Sequence, residues 1–254
     1  MLKRIQITLY IFVIFCGLSH HTWAQKAQGF ESKYFEIRKY YAHDGKLDEL
    51  ISRFEDHTYS IFERIGMENI AYFLPVDNKE YTMTYILGYP DKASRDKLWQ
   101  KFIDDPEWRE VYQRSTKNGA LVKKIEETFM VLAPGLNKLP KPLPSGVIQL
   151  RKYESYEGKL FDLQRRFKDN TQKLFKKHGF RNYLYWVTDE SDGSQAKLIY
   201  LLGHRDQMSF EKSLNDFIGD PQWIKVRDES QADGKIVEKI ETAMFVTLPF
   251  SPIK

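Results

Sequence analysis

Cysteine is almost absent from this chain of 254 residues, since the only one is Cys16, inside an apolar run near the amino terminus. A chain that loses this run on maturation has no thiol, which excludes disulfide bonds, a cysteine nucleophile and thiolate metal ligands. The sequence also lacks a glycine-rich phosphate loop and a Gly-x-Ser-x-Gly nucleophile turn. These absences exclude thiol enzymes and give no support to nucleotide-binding or hydrolase chemistry.

A strong excess of one charge is also lacking. The chain has 39 Lys and Arg against 35 Asp and Glu, and removal of Lys3 and Arg4 with a leader leaves 37 against 35. Proteins that hold nucleic acid rely on clustered positive charge, so this near balance argues against a nucleic-acid partner.

Histidine is scarce, and no two of the six residues have the spacing of a helical zinc site. The sequence therefore predicts no metal and no cofactor. One alternative stays open, a haem held by a single unrepeated histidine. The candidates for that role are His43, His57, His178 and His204.

The amino terminus has the order of a secretory signal. A basic start is followed by an apolar run over residues 5–18, which is short for a membrane span, and then by Thr-Trp-Ala. We predict a signal peptide over residues 1–24 and a secreted or periplasmic protein without a stable membrane span. Lipidation of Cys16 is the alternative, which Phe15 disfavours because a lipoprotein signal takes a small residue there.

What the chain has in abundance is internal repetition. Arg38-Lys-Tyr and a following Gly-Lys-Leu recur from Arg151, at an offset of 113 that becomes 115 after two residues are added near Ser191. A proline-rich stretch over residues 134–146 separates the copies, and its four prolines can continue neither a helix nor a central strand. We predict a first domain over residues 33–133, this linker, and a second domain over residues 147–250.

Each copy reads as strand, helix, strand, strand, helix, strand. Hydrophobic residues alternate over 35–40 and recur at helical spacing over 47–65; a hairpin, a second helix after residue 92 and a closing strand to residue 132 follow. This order is the ferredoxin-like βαββαβ unit of an α+β fold, which leaves one sheet face open. Two tandem units are expected to cover each other as an intrachain dimeric α+β barrel. Two separate domains, each covered by another molecule, are the alternative.

The repeated motifs carry a family resemblance over both copies. Arg-x-Tyr, Gly-Lys-Leu, Arg-Phe-x-Asp-x-Thr, Leu-Gly, Asp-Pro-x-Trp and Ile-Glu together resemble the NIPSNAP family of the dimeric α+β barrel superfamily. The resemblance implies the fold but no agreed catalytic motif. Eukaryotic members are associated with mitochondria, vesicle traffic and mitophagy signalling, and wider relatives include cofactor-free monooxygenases, isomerases and haem-handling enzymes; fold analogy alone is weak support for function.

Strand alternation singles out the repeated arginines. Phe35 and Ile37 share one face of the first strand and Arg38 and Tyr40 the other. We expect the apolar face to meet the helices, which turns Arg38 and Arg151 into the barrel, beside inward-facing glutamates of the closing strands. The first and fourth strands of a ferredoxin-like sheet are neighbours, so pairs of Arg38 with Glu126 and of Arg151 with Glu241 are geometrically allowed, while the register that decides them stays open.

The candidate ligand-binding residues of the barrel interior are Arg38, Tyr40, Glu126, Arg151, Tyr153, Glu241, Tyr72 and Tyr185. A structural role is the simpler reading, because buried ion pairs and strand aromatics commonly serve packing. The leading functional hypothesis is an exported non-catalytic module that binds a small apolar or aromatic ligand or a protein partner, with oligomerisation open. The rival is a cofactor-independent oxygenase or isomerase, with arginine as anion anchor and glutamate as base.

Overall fold

The computed structural model describes residues 32–137, 145–193 and 195–254. The predicted signal peptide and residues 138–144 of the predicted linker lie outside this range. Within the described residues, no helix is both long and apolar enough to cross a membrane.

The first copy has the predicted order of elements. Its two long strands flank a helix, a hairpin and a further helix pair. The elements are β1 (Tyr34–Ala42), α1 (Leu47–Arg53), a π-helical turn (Phe54–Thr58), α2 (Tyr59–Ile65), β2 (Glu68–Pro75), β3 (Thr82–Tyr89), α3 (Lys92–Asp104), α4 (Pro106–Ser115) and β4 (Val122–Leu132).

The second copy repeats this order and adds a short 3-10 turn, Glu190–Asp192, at the insertion. Its elements are β5 (Val147–Ser155), α5 (Leu160–Arg166), a π-helical turn (Phe167–Thr171), α6 (Gln172–Lys177), β6 (Arg181–Thr188), β7 (Lys197–His204), α7 (Gln207–Ile218), α8 (Pro221–Glu229) and β8 (Val237–Thr247).

Local sequence signals explain where several helices begin and end. Asp105 caps α4, since its Oδ1 accepts from the Trp108 backbone N–H at 3.1 Å and Pro106 occupies the first helical position. Asp220 caps α8 in the same way. Gly66 ends α2 with φ of 101°, a left-handed conformation that glycine adopts without strain.

The two four-stranded sheets close into one barrel. Each has the ferredoxin-like order, β4-β1-β3-β2 and β8-β5-β7-β6, and all pairings are antiparallel. Two short seams join the copies: β2 pairs with β8 through Phe73 and Thr247, and β4 with β6 through Met130 and Thr188. The predicted α+β barrel of two tandem units is confirmed.

The barrel interior carries the aliphatic faces of the strands, which corrects the predicted orientation. Phe35 and Ile37 form one core cluster with Ile148, Leu150 and other side chains of both copies. The expectation that this apolar face meets the helices was wrong, because a closed barrel encloses a space without water that only apolar side chains fill at low cost. Arg38 and Arg151 consequently lie on the outer, helix-facing side.

The helices cover the outer faces of the sheets with a second layer of core. In the first copy Tyr40, Phe54, Tyr72 and Tyr85 pack in one cluster with residues of α1, α2 and α3. A matching cluster fills the second copy. This layer is rich in tyrosines. A tyrosine combines a large apolar ring, which packs in the core, with a hydroxyl group that can form a hydrogen bond at the edge of the layer.

The segment that follows each closing strand packs against the other copy. Leu136 lies in the core cluster of the second copy, and Leu248 lies in that of the first. Asn137 Oδ1 accepts from the Tyr185 N–H at 2.9 Å, and Ser251 Oγ accepts from the Tyr72 N–H at 3.0 Å. The copies therefore exchange their tails and form a single unit.

Candidate functional site

Arg38 lies between the first sheet and α3, in contact with two carboxylates. Its guanidinium pairs with Glu36 and with Glu127, the latter at 2.5 Å, and stacks 4.3 Å from the centre of the Trp99 ring. The pair of Arg38 with Glu126, which the sequence left open, does not form, because the register places Glu126 opposite Lys39 and so on the barrel side of the sheet. A shift of one residue moves a strand side chain to the other face.

Glu36 is the centre of this first-copy network. The carboxylate is fully buried and accepts from Arg95 Nη2 at 2.9 Å, Tyr89 OH at 2.9 Å and Trp99 Nε1 at 3.2 Å, besides Arg38. Burial alone would raise the pKa of Glu36, but the hydrogen bonds from Arg95 and the charges of both arginines lower it overall. This group of residues holds an ionised carboxylate within the helix layer.

Arg151 is equally buried but lacks a carboxylate partner among the described residues. Its guanidinium donates to Gln149, to Tyr200 OH at 3.0 Å and to Tyr153 OH at 2.9 Å. The pair with Glu241, which the sequence left open, does not form either, since Arg151 stands opposite Thr242. The two repeated arginines therefore share a position in the fold and differ in their chemistry.

Tyr72 and Tyr185 serve packing on the helix side rather than lining the barrel. Each ring stacks nearly parallel on a neighbouring tyrosine, Tyr72 on Tyr85 at 5.6 Å and Tyr185 on Tyr200 at 5.2 Å. Their hydroxyls donate to the side-chain oxygens of asparagines three residues earlier. Tyr153 and Tyr40 also lie on the helix side. Of the eight predicted interior residues, Glu126 and Glu241 are the two that face the barrel, at the rim of a cavity at its mouth.

Tyr40 reaches a different cavity, which lies between the first sheet and its helices. This cavity has a volume of about 410 Å³ and opens to solvent. We call it the Arg53 pocket; its lining residues are Tyr40, Arg53, Phe54, Thr58, Phe62, Phe102, Trp108, Tyr112, Val122, Lys123, Lys124 and Ile125.

Arg53 is positioned by the end of α1 and by the aromatic residues of α4. The residue is 7% exposed, and its guanidinium lies 5.2 Å from the centre of the Trp108 ring and 5.9 Å from that of Tyr112. Its Nη1 donates to Ser115 Oγ at 3.3 Å, whereas its Nε has no hydrogen-bond partner among the described residues. Buried polar groups are normally satisfied, and the Nε atoms of Arg38 and Arg166 share this unused donor.

The π-helical turn begins directly after Arg53. Thr58 Oγ1 donates to the Arg53 carbonyl oxygen at 3.0 Å, which fixes the widened turn from the side chain. Short π-helical turns occur within α-helices frequently at functional sites, where they redirect side chains. Here the turn lies at the wall of the Arg53 pocket.

Basic residues outnumber acidic ones in the lining of the Arg53 pocket. None of the described residues that line it is acidic, and three are basic, Arg53, Lys123 and Lys124, although the side chain of Lys124 turns to the barrel side of the sheet. Lys124 is paired with Glu126 at 2.6 Å and Lys123 reaches Asp44 at 3.8 Å, so Arg53 is the lining cation without an acidic partner among the described residues. Burial lowers the pKa of Arg53, opposed only by the phenols of Tyr40, Tyr112 and Tyr85, but the group stays charged near neutral pH.

The second copy repeats the arginine but changes its surroundings. Arg166 lies 5.2 Å from the centre of the Trp223 ring, and its Nη1 donates to Ser230 Oγ at 3.3 Å. The residue at the position of Tyr112 is Arg227, whose charge adds to burial in lowering the pKa of Arg166. In the second copy a second positive charge therefore stands where the first copy has the aromatic ring of Tyr112.

Arg53 and Arg166 were missed as candidates in the sequence, although a signal was present. Each lies on the apolar stripe of an amphipathic helix, in the first copy between Leu50 and Phe54, where a charged residue is out of place. A charge at a core position that recurs in both copies is the pattern that would have identified them.

The described histidines do not fit an axial haem ligand in either cavity, since none of them lines the Arg53 pocket or the barrel-mouth cavity. His178 bonds Asp220 at 2.7 Å and His204 bonds Ser213 at 3.1 Å. Across the described part of the chain, no group of three His, Cys, Asp or Glu side chains is arranged to hold a metal ion.

Comparison with known proteins agrees with this architecture. The human protein NipSnap homolog 3A is 26% identical over 138 residues, which are 54% of each chain, so the match spans about half the length of that relative. Two solved structures provisionally named monooxygenases share the fold over most of the chain. The one from Lactobacillus acidophilus has 13% identity and a TM-score of 0.53, covering 85% of this chain and 94% of its own. The one from Fusobacterium nucleatum has 11% identity and a TM-score of 0.55, with 87% and 94% covered.

The likeness to these two structures shows the fold alone, because the identities are low. The family itself is identified by the NIPSNAP family model, which matches residues 35–136 and again residues 148–252. Both copies are therefore NIPSNAP domains, and the chain belongs to the NIPSNAP family.

Proposed function

We propose that the protein binds a small organic anion, a carboxylate with a flat apolar body, in the Arg53 pocket. The observation that carries this proposal is the buried guanidinium of Arg53, which lies on Trp108 and lacks a carboxylate partner within the described residues. Uncompensated buried charge is costly, and a bound anion would remove that cost.

The shape and lining of the pocket define the ligand class. A volume of about 410 Å³ lies in the range of small-molecule sites, which start at roughly 300 Å³. Phe54, Phe62 and Trp108 offer apolar walls for a ring, and the planar guanidinium offers a fork that matches a carboxylate. A hydrogen bond to a charged partner contributes about 1.5–3 kcal/mol.

A pair of isosteric probes tests the role of charge. Naphthalene-2-carboxylate is expected to bind at least about tenfold more tightly than naphthalene-2-carboxamide, since 1.4 kcal/mol is a factor of ten. Isothermal titration calorimetry at neutral pH would measure both affinities. Equal affinities for the acid and the amide would refute the proposed anion site.

Matched variants locate the site. Arg53→Met should abolish the preference for the carboxylate, whereas Arg166→Met removes the equivalent residue of the other copy and should leave it unchanged. Tyr112→Ala serves as a second variant because Tyr112 is 49% exposed and tolerates truncation; it should weaken binding roughly threefold through loss of an aromatic contact. A preference that survives Arg53→Met would place the site elsewhere.

An oxygenase or isomerase of the α+β barrel type is the alternative, and the two provisionally named monooxygenases support it through fold alone. An oxygenase would consume O₂ with an oxidisable aromatic carboxylate such as 1,4-dihydroxy-2-naphthoate. Under the binding proposal, an oxygen electrode records the same uptake with the native protein and with Arg53→Met. Faster uptake with the native protein would favour the enzyme.

We also propose that binding takes place outside the cytoplasm, on the basis of the secretory signal in the sequence. The mature chain should then begin at Gln25. Amino-terminal sequencing of protein recovered from the periplasm or medium of a bacterial host checks this, and a chain that keeps Met1 and stays in the cytoplasm would contradict it.

A further inference from the structure

A second cavity opens at one mouth of the barrel, on the opposite side of the first sheet from the Arg53 pocket. This barrel-mouth cavity has a volume of about 580 Å³ and is formed by β1, β4, β5, β8 and the hairpin between β2 and β3. Ile37, Leu150 and Phe245, which belong to the barrel core, form its apolar floor. Both copies contribute, so the cavity exists only in the closed barrel.

Five acidic residues line the barrel-mouth cavity, and each carboxylate has a cation of its own, that of Glu127 on the helix side of the sheet. The ion pairs are Asp77 with Lys79 at 2.8 Å, Glu80 with Lys39 at 3.0 Å, Glu126 with Lys124 at 2.6 Å, Glu127 with Arg38 at 2.5 Å, and Glu241 with Lys239 at 2.6 Å. The three lysines that line it are fewer than the carboxylates. This balance disfavours a bound anion.

Lys152 is the lining lysine left over from these pairs. Its Nζ donates to Thr128 Oγ1 at 3.5 Å, a long hydrogen bond across the two copies, and no carboxylate of the described residues forms an ion pair with it. Lys39 holds the equivalent position on β1, but its Nζ bonds Glu80 and lies 4.4 Å from the centre of the Tyr41 ring. Glu154 stands at the position of Tyr41 in the second copy and pairs with Lys197.

We propose that the Lys152 amine is a nucleophile that condenses with small uncharged aldehydes or ketones at the floor of the barrel-mouth cavity. The Nζ lone pair of the neutral amine forms a bond to the carbonyl carbon, and the carbonyl oxygen leaves as water with the two hydrogens that the amine gives up, which pass through solvent. The product is an imine, which water reverses, and no oxidation or reduction takes place. The open mouth lets water and protons exchange with solvent.

The charges around Lys152 favour the free amine that this reaction needs. Burial lowers the pKa of Lys152, and Lys197 and Lys39 act in the same direction; Glu241 and Glu126 oppose them without reversing the shift. For Lys39, burial is outweighed by hydrogen bonds to Tyr41 and Glu80, and its pKa is raised. The two equivalent lysines are therefore shifted in opposite directions.

Reductive alkylation of the full chain tests the proposal. Propionaldehyde with sodium cyanoborohydride traps each imine as a stable propyl amine, which peptide mass spectrometry assigns to a lysine. The labelling rate at pH 10 reports how accessible each amine is. The labelling rate at pH 7 divided by the rate at pH 10 reports the ionisation of that amine. We expect this ratio to be at least about fivefold larger for Lys152 than for Lys39, because free amine gains tenfold for each unit of lower pKa.

Two variants complete the test. Lys152→Arg should remove one label and leave the ratio for Lys39 unchanged, and Thr128→Val should leave Lys152 reactive because the hydrogen bond it removes is long. A ratio for Lys152 equal to or below that for Lys39, or absence of Lys152 labelling at both pH values, would overturn the proposal.

Discussion

The surroundings of Arg38 and Arg151 differ far more than their places in the fold. Arg38 faces Glu36, Glu127 and, through Glu36, a second arginine. Arg151 faces a glutamine and two phenols. Both arginines are nevertheless buried to a similar degree, at 6% and 8% exposure.

This difference shows what the repetition preserves. The position between sheet and helices requires a long side chain with several hydrogen-bond donors, which is arginine in both copies. Each copy provides different acceptors for the guanidinium. The residues that replace Glu36, Arg95, Trp99 and Glu127 are Gln149, Phe210, Leu214 and Thr242. A shared chemical step would need shared partners, so the repeated arginine is a structural residue of the helix layer.

The largest expected effect comes from exchanging the acceptors between the copies. Glu36→Gln should destabilise the protein by about 3–5 kcal/mol, because it leaves Arg95 and Arg38 buried without their shared carboxylate. Gln149→Glu should change stability by less than about 1 kcal/mol, because desolvation of the new charge offsets its attraction to Arg151. Urea denaturation measures both. Equal and small effects would mean that the first-copy network contributes little.

The same carboxylate should make the first copy sensitive to acid. The pKa of Glu36 is held below its ordinary value of 4.5, so the ionised group stabilises the fold above that pH. Its contribution is lost as the pH falls from 4.5 toward the folded pKa. The stability difference between the native protein and Glu36→Gln, followed by urea denaturation from pH 7 to pH 3, should shrink below pH 4.5. A constant difference would show that Glu36 does not titrate in this range.

A smaller effect is expected from the tyrosines opposite each arginine. Tyr200→Phe removes the hydroxyl that accepts from Arg151 Nε and should cost about 1–3 kcal/mol, since the donor is left buried and unpaired. The equivalent Tyr85 hydroxyl makes no hydrogen bond of normal geometry to the described residues, so Tyr85→Phe should change stability by less than about 0.5 kcal/mol. Thermal or urea unfolding distinguishes them. A larger cost for Tyr85→Phe would reverse the comparison.

The order of helices and strands, and the positions at which several helices begin or end, could be predicted from the sequence. Helical spacing, the Asp105 cap and the glycine at position 66 act over a few neighbouring residues, and the structure bears them out. The pairing of strands within each unit followed from the same order. Local patterns predict local structure because the physical interactions behind them are short in sequence.

The face of the first strand could not be derived in the same way. Both faces are covered, one by the barrel interior and the other by helices, so neither needs to be polar. Which face of β1 turns into the barrel depends on which layer excludes water more completely, and that is a property of the closed barrel. Glu126 and Glu241 do face the barrel, and they do not meet Arg38 and Arg151 because these arginines lie on the other face of the sheet. Alternation alone does not fix which glutamate, Glu126 or Glu127, stands opposite Arg38.

The exchanged tails determine the order in which parts of the barrel can be completed during synthesis. The first copy is synthesised with its aliphatic inner face and both sheet edges uncovered, and it receives Leu248 and the β8 seam only when the last residues are available. Contacts between such distant residues form slowly, and open strand edges invite pairing with other chains. A half-length product would therefore be an aggregation-prone intermediate. Completion of the carboxyl-terminal tail is the step that covers the exposed strand edges and inner face of the barrel.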